Sequence, residues 1–104
     1  MKNLFLLRHA KSSWDNAALG DFDRPLSKRG ISNAIQLSEY IQKHSISFDL
    51  VLSSPSERTQ STLDLVLNSF DPIPKTSLKE SIYHASPSNL SQLIKELDDE
   101  INNL

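Results

Sequence analysis

The stretch Phe48-Asp49-Leu50-Val51-Leu52-Ser53-Ser54-Pro55-Ser56-Glu57-Arg58 decides the fold. Its first half is a short apolar run, which suits a strand buried on both faces of a parallel sheet. Its second half is a helix-start signal. Ser54 can cap, Pro55 suits the first helical position, and Glu57 completes a capping box. Leu63, Val66 and Leu67 then supply the inner face of a helix reaching about Asn68. A buried strand running into a capped helix is the repeating unit of an α/β fold.

The same alternation extends in both directions. Upstream, residues 3–7 (Asn-Leu-Phe-Leu-Leu) form a second buried-strand pattern. From Lys28 to about Lys43 the period becomes helical. Ile31, Ala34, Ile35 and Ile41 recur on one side, Leu37 and Tyr40 widen the stripe, and Ser27 is the N-cap. Downstream, Pro72 and Pro74 break the chain and Lys75 to Leu78 reads as a third strand. Ser86-Pro87 opens a last helix with Leu90, Leu93, Ile94, Leu97 and Ile101 at helical spacing. The order β-α-β-α-β-α predicts a three-layer α/β fold around a mainly parallel sheet, with residues 1–104 as a single domain. The pattern stops after a helix, where a further unit would add a strand, so the sheet is expected to be incomplete at residue 104.

Composition narrows the chemistry. The 104 residues carry 38% apolar side chains, enough for one modest core. Thirteen acids against eleven bases give a net charge of −2, which disfavours a strong grip on nucleic acid or an anionic membrane. The absence of cysteine excludes disulfides, zinc fingers and thiolate catalysis, and is compatible with a cytoplasmic setting. The longest apolar run, Leu4 to Leu7, is too short for a membrane span or the core of a secretory signal. Two glycines, Gly20 and Gly30, cannot build a dinucleotide fingerprint or a P-loop.

In a parallel α/β sheet, ligands bind beyond the carboxyl ends of the strands. Arg8-His9 follows the first predicted strand, and Ser53 to Arg58 follows the second. The two constellations are therefore expected to face one crevice. Two guanidiniums and a helix N-terminus there would bind an oxyanion. An imidazole among them can attack a phosphoryl group and hold it as phosphohistidine, without a metal or cofactor. Arg58 lies in the first helical turn, where a positive charge opposes the helix dipole, and a bound anion would supply its reason.

Leu7-Arg8-His9-Ala10-Lys11-Ser12 resembles the Arg-His signature of the histidine phosphatase, or phosphoglycerate-mutase-like, superfamily. Three further segments match in order: Asp23-Arg24-Pro25-Leu26-Ser27-Lys28-Arg29-Gly30, Val51 to Thr59, and Tyr83-His84-Ala85-Ser86-Pro87. Together they are similar to the small SixA-type phosphohistidine phosphatases. The resemblance implies that His9 is the phosphate-accepting nucleophile and that Arg8 and Arg58 bind the phosphoryl oxygens. It makes Arg24 a further phosphate or substrate contact, and Glu80 a weaker candidate for the proton donor of the larger relatives. The implied activity is a metal-independent phosphohydrolase acting on phosphohistidine of a signalling protein, or on a small phosphorylated substrate. The family also places a second catalytic histidine in a Gly-His-Asn-like motif on a later strand. No such motif precedes Leu104, so the chain reads as a carboxy-terminally shortened member. The alternative is a non-catalytic phosphate-binding module, or an inactive fragment that self-associates through an open sheet edge.

Other polar residues have ordinary readings. His44 suits a helix C-terminus, and His84 a loop before the last helix. Asp15, Asp21 and Asp23 are expected to bond nearby backbone in the long Ala10–Leu26 connection. Trp14, in the same connection, lines the substrate mouth or covers the core edge.

Overall fold

The computed structural model describes residues 2–104. Its regular elements are α1 (Lys28–Lys43), β1 (Val51–Ser53), α2 (Glu57–Leu67), β2 (Thr76–Leu78) and α3 (Pro87–Lys95), with 3₁₀ turns at Asp21–Asp23 and Glu80–Ile82. From α1 onward the alternation is as the sequence predicts, and the sheet is parallel but small. Val51, Leu52 and Ser53 pair with Thr76, Ser77 and Leu78.

The first predicted strand is the main departure. Residues 3–7 form no regular strand. Asn3 makes an isolated parallel bridge to Asn103, and the Phe5 N–H donates to the Leu104 carbonyl at 2.7 Å. On its other side the 102–104 segment is bonded to Asp49, whose N–H donates to the Asn103 carbonyl at 2.8 Å. The Asp49 carboxylate in turn accepts from the N–H groups of Asn102 and Asn103, both at 2.9 Å. These bonds hold its pKa below the usual carboxylate value. From Leu6 onward the N-terminal segment has no backbone ladder partner among the described residues, and Leu6 is 80% exposed. An apolar run supplies the side chains of a strand, but the strand itself needs a neighbouring ladder.

The core lies between α1 and α2, where Ala34, Ile41, Val66 and Leu67 are buried and Phe48, Val51, Leu63 and Phe70 pack against them. The buried positions of α1 are Gly30, Ala34, Ser38 and Ile41, spaced by three or four residues. Ile31 and Ile35 belong one position round the helix, so they are exposed, contrary to the predicted stripe. Ser38 is accepted into the interior because its hydroxyl donates to the Val66 carbonyl at 3.0 Å. In this way α1 is tied to the last turn of α2.

Helix starts were legible to different degrees. Ser27 caps α1, its hydroxyl accepting from the Gly30 N–H at 3.0 Å. Ser86 caps α3 in the same way, accepting from Asn89 at 3.2 Å with Pro87 in the first turn. At α2 the helix begins two residues later than predicted, with Ser56 at the N-cap. Ser54 instead accepts from the Ser56 N–H at 3.2 Å, and Ser53, Ser54 and Ser56 are all buried. This turn, rather than a capping box, delivers Arg58 to the inner side of α2. α3 ends at Lys95, short of the predicted Ile101. No α3 residue is fully buried, because Leu90, Leu93 and Ile94 face an open apolar groove of about 580 Å³. Residues 4–9 and β1 form other parts of its wall.

Candidate active site

The carboxyl end of β1 and the segment after Leu7 converge at the groove mouth. Arg8, His9, Ser54 and Arg58 line it together. His9 and Arg58 are 49 positions apart, yet the Arg58 Nε–H donates to His9 Nε2 at 3.3 Å. The other ring nitrogen, Nδ1, lies 2.8 Å from the Ala10 carbonyl. A carbonyl only accepts and a guanidinium only donates, so both contacts select one tautomer: Nδ1 protonated, Nε2 carrying the lone pair. The unprotonated nitrogen therefore faces the guanidinium.

Thr62 fixes this approach from the helix side. Its hydroxyl donates to the Arg58 carbonyl at 2.8 Å and accepts the Ala10 N–H at 3.0 Å. One buried hydroxyl thus joins α2 to the residue that follows His9. A second clamp acts through the Lys11 carbonyl, which accepts from the Ser27 N–H at 2.8 Å and the Ser27 hydroxyl at 3.1 Å.

Sequence reasoning missed the role of Asp21. Rather than bonding only its own loop, as expected, it sits on the site. Its carbonyl accepts from Arg58 Nη1, and its Oδ2 accepts from Arg58 Nη2 at 3.0 Å. The Tyr83 hydroxyl donates to the same Oδ2 at 2.5 Å, and His84 Nε2 is 3.4 Å away. Arg24 Nη1 approaches Oδ1 at 3.5 Å. The Tyr83 bond, followed by Arg58, lowers the Asp21 pKa from 3.8 to about 2, while the same bond raises that of Tyr83. The available signal was the Tyr83-His84 pair, which the sequence marks as a motif but which alone names no partner.

The other predicted residues fall in distinct places. Arg8 lines the groove, is exposed, and has no side-chain hydrogen bond or ion pair among the described residues. Arg24 is buried. It donates to the Ser13 carbonyl at 3.2 Å and to the Ser12 hydroxyl at 2.5 Å, and its guanidinium lies 3.1 Å from the centroid of the Trp14 ring. It reaches the site through Asp21. Trp14 is 75% exposed, so it covers no core. Glu80 is exposed on the 3₁₀ turn before Tyr83 and does not line the groove. His84 does line it, with a backbone φ of 56° and its ring stacked 4.1 Å from that of Tyr83. His44 has the ordinary role, its Nδ1 lying 2.9 Å from the Tyr40 carbonyl. Among the described residues no three His, Cys, Asp or Glu side chains cluster as a metal site would require, and no helix is long and apolar enough to cross a membrane.

Comparison with known proteins matches this geometry to a family. Residues 4–97 fit the model of the histidine phosphatase superfamily, branch 1. The chain belongs to that superfamily. It is 45% identical over 62 residues to an uncharacterized chloroplastic protein of Arabidopsis thaliana, covering 60% of this chain and 28% of that protein. It is 36% identical over 67 residues to the 2,3-bisphosphoglycerate-dependent phosphoglycerate mutase of Rhodopseudomonas palustris, covering 62% and 32%. Among solved structures, one assigned as the phosphohistidine phosphatase SixA of Agrobacterium tumefaciens superposes with a TM-score of 0.88 at 26% identity, covering 96% of this chain and 64% of that one. The protein histidine phosphatase SixA complexed with tungstate shares the fold, with a TM-score of 0.83 at 20% identity over 96% of this chain and 64% of that one. The chain thus spans about a third of these curated relatives and under two thirds of the solved chains. Its architecture, helices around a small parallel sheet, is that of the phosphoglycerate-mutase-like histidine phosphatases.

Proposed function

We propose that this histidine phosphatase domain is a cytoplasmic, metal-independent phosphohydrolase that works through a phosphohistidine on His9 and takes phosphohistidine on a signalling protein as substrate. The observation that carries the reading is the 3.3 Å contact between Arg58 Nε and His9 Nε2. It sets a neutral imidazole lone pair beside a buried guanidinium at the mouth of the groove. In the first step Nε2 attacks phosphorus and the bond to the substrate nitrogen breaks, the departing imidazole taking a proton from water at the open groove mouth. In the second, water attacks phospho-His9, releasing inorganic phosphate and restoring the ring. Arg8 and Arg58 hold the phosphoryl oxygens in both steps, where planar guanidinium forks match the equatorial oxygens. Arg24 braces the Ser12–Ser13 end of the neighbouring loop rather than the phosphoryl oxygens. Glu80 stands outside the groove, so its service as proton donor requires the 80–84 turn to rotate inward.

The substrate class is supported by the fold shared with the SixA structures, and a small phosphorylated molecule is the other substrate the pocket would take. The test is single-turnover and steady-state assay on phosphohistidine, following both released phosphate and acid-labile phosphoenzyme. Turnover by the native chain, lost in His9→Ala, is the expected result. Equal turnover in His9→Ala refutes the mechanism.

The open groove favours a second reading, in which the chain binds phosphate without turning it over and completes its sheet with another copy. Phosphate binding without phosphoenzyme, together with a mass that rises with concentration in light scattering, would select it.

A further inference from the structure

Arg58 is buried, and a buried guanidinium is costly without an anionic partner. That partner is Asp21. Two of the donors Arg58 uses, Nη1 and Nη2, go to the carbonyl and the carboxylate of this one residue, and the third goes to His9. The fork that a phosphoryl group would grip is thus already gripping two oxygens. The Tyr83 hydroxyl donates to the same carboxylate oxygen, His84 Nε2 lies 3.4 Å from it, and Arg24 approaches the other oxygen.

The surroundings allow this occupant to leave. Asp21 sits in a three-residue 3₁₀ turn, and residues 14–23 are all exposed. The excursion is pinned at its base by the Ser12–Leu26 bridge and the Ser13 N–H bond to the Pro25 carbonyl at 2.8 Å, and at its tip by the Asp21 contacts themselves and by Phe22, whose ring meets that of Tyr83 edge-to-face at 5.2 Å. The Asp21 side chain is 43% exposed against 8% for that of Arg58, so the carboxylate has solvent to turn into while the guanidinium stays in place.

We infer that Asp21 is a built-in anion that occupies the Arg58 fork and is displaced when a phosphoryl group binds. The inference rests on the reading of the groove mouth as a phosphoryl pocket. The resting site is then closed by its own loop, and every ligand competes with a tethered carboxylate. As an aspartate carboxylate, this competitor is charged at neutral pH. A permanent brace makes the opposite prediction, because a ligand would then need Asp21 to hold Arg58 in position.

Inorganic phosphate, titrated calorimetrically at low ionic strength, separates the two. Asp21→Asn keeps the side-chain shape and removes the charge. Its affinity for phosphate should rise about tenfold over the native chain, as loss of a competing charge at contact distance implies. Tyr83→Phe, which frees the carboxylate from one donor, should shift affinity in the same direction by a smaller factor. Arg58→Ala combined with Asp21→Asn should abolish binding. Equal or weaker binding by Asp21→Asn, with the native chain binding normally, overturns the inference alone. If neither binds phosphate, the phosphoryl-pocket reading fails and takes the inference with it. Should circular dichroism show Asp21→Asn unfolded, the Tyr83→Phe titration decides, and no gain in affinity refutes the displacement.

Discussion

Replacing Gly30 with alanine tests how the site is held. A Cβ at this position would lie 2.2 Å from the Lys11 carbonyl oxygen and 3.0 Å from both the carbon and the nitrogen of Lys11. These are backbone atoms, so they cannot swing aside as a side chain would. The Lys11 carbonyl is held by two bonds from Ser27, and the Ser27 hydroxyl accepts from Gly30 itself. Relieving the overlap means moving the 10–12 segment about 1 Å off the start of α1, an overpacking strain of about 1–3 kcal/mol. Stretching the Ser27 bonds adds about 1 kcal/mol, and the better helix propensity of alanine returns about 1 kcal/mol. The net expectation is a loss of about 2 kcal/mol, from a total of about 5–15 kcal/mol for a domain of this length. That corresponds to a melting temperature lower by roughly 8–16 °C. Urea unfolding checks the value, with the midpoint falling and the slope unchanged. Because Lys11 is two residues from His9, phosphate binding should weaken in parallel. A Gly30→Ala protein that melts at or above the native temperature would refute the packing argument.

Other expectations follow from the same geometry. Thr62→Val keeps the shape but leaves the Ala10 N–H without its acceptor, so stability should fall by about 1–3 kcal/mol, with phosphate affinity reduced although helix content by circular dichroism is retained. Arg58→Lys keeps the charge but loses the planar fork; phosphate affinity, read by the same titration, should drop at least about tenfold. Acid titration tests the Asp21 cluster. A carboxylate whose pKa falls from 3.8 to about 2 on folding stabilises the fold fully above its unfolded value and loses that contribution as pH drops toward 2. Urea midpoints should therefore decline between about pH 4 and 2, and Asp21→Asn should flatten part of that decline, to which Asp49, also lowered, contributes in the same direction.

The sequence carried the architecture more clearly than the site. Ser27 and Ser86 reach their caps because a cap depends on three or four consecutive residues, all visible in the chain. The start of α2 shifted because Ser53, Ser54 and Ser56 turn inward to build the approach to Arg58, a tertiary demand that outweighs local capping. Residues 3–7 could not be read correctly from their own apolarity, since ladder formation depends on what lies beside them. The meeting of His9 with Arg58 was expected from strand-end placement, but only Arg58 follows a strand; His9 reaches it from a segment that forms none. Asp21 was not legible: its partners lie 37 and 62 positions away, and nothing in the loop around it distinguishes it from Asp15 or Asp23.

The weak anchoring of residues 4–9 has a consequence for how the molecule opens. Half of the proposed phosphoryl pocket rides on a segment fixed by the Asn3 and Phe5 bonds at one end and by Thr62 and Ser27 at the other. Its amides should exchange with solvent faster than those of α1 and α2, which are held in helical hydrogen bonds. On warming, the site should come apart before the helices do. Conversely, an anion spanning Arg8 and Arg58 would slow exchange selectively at Leu6, Leu7 and Arg8, turning the loosest stretch of the chain into a reporter of occupancy.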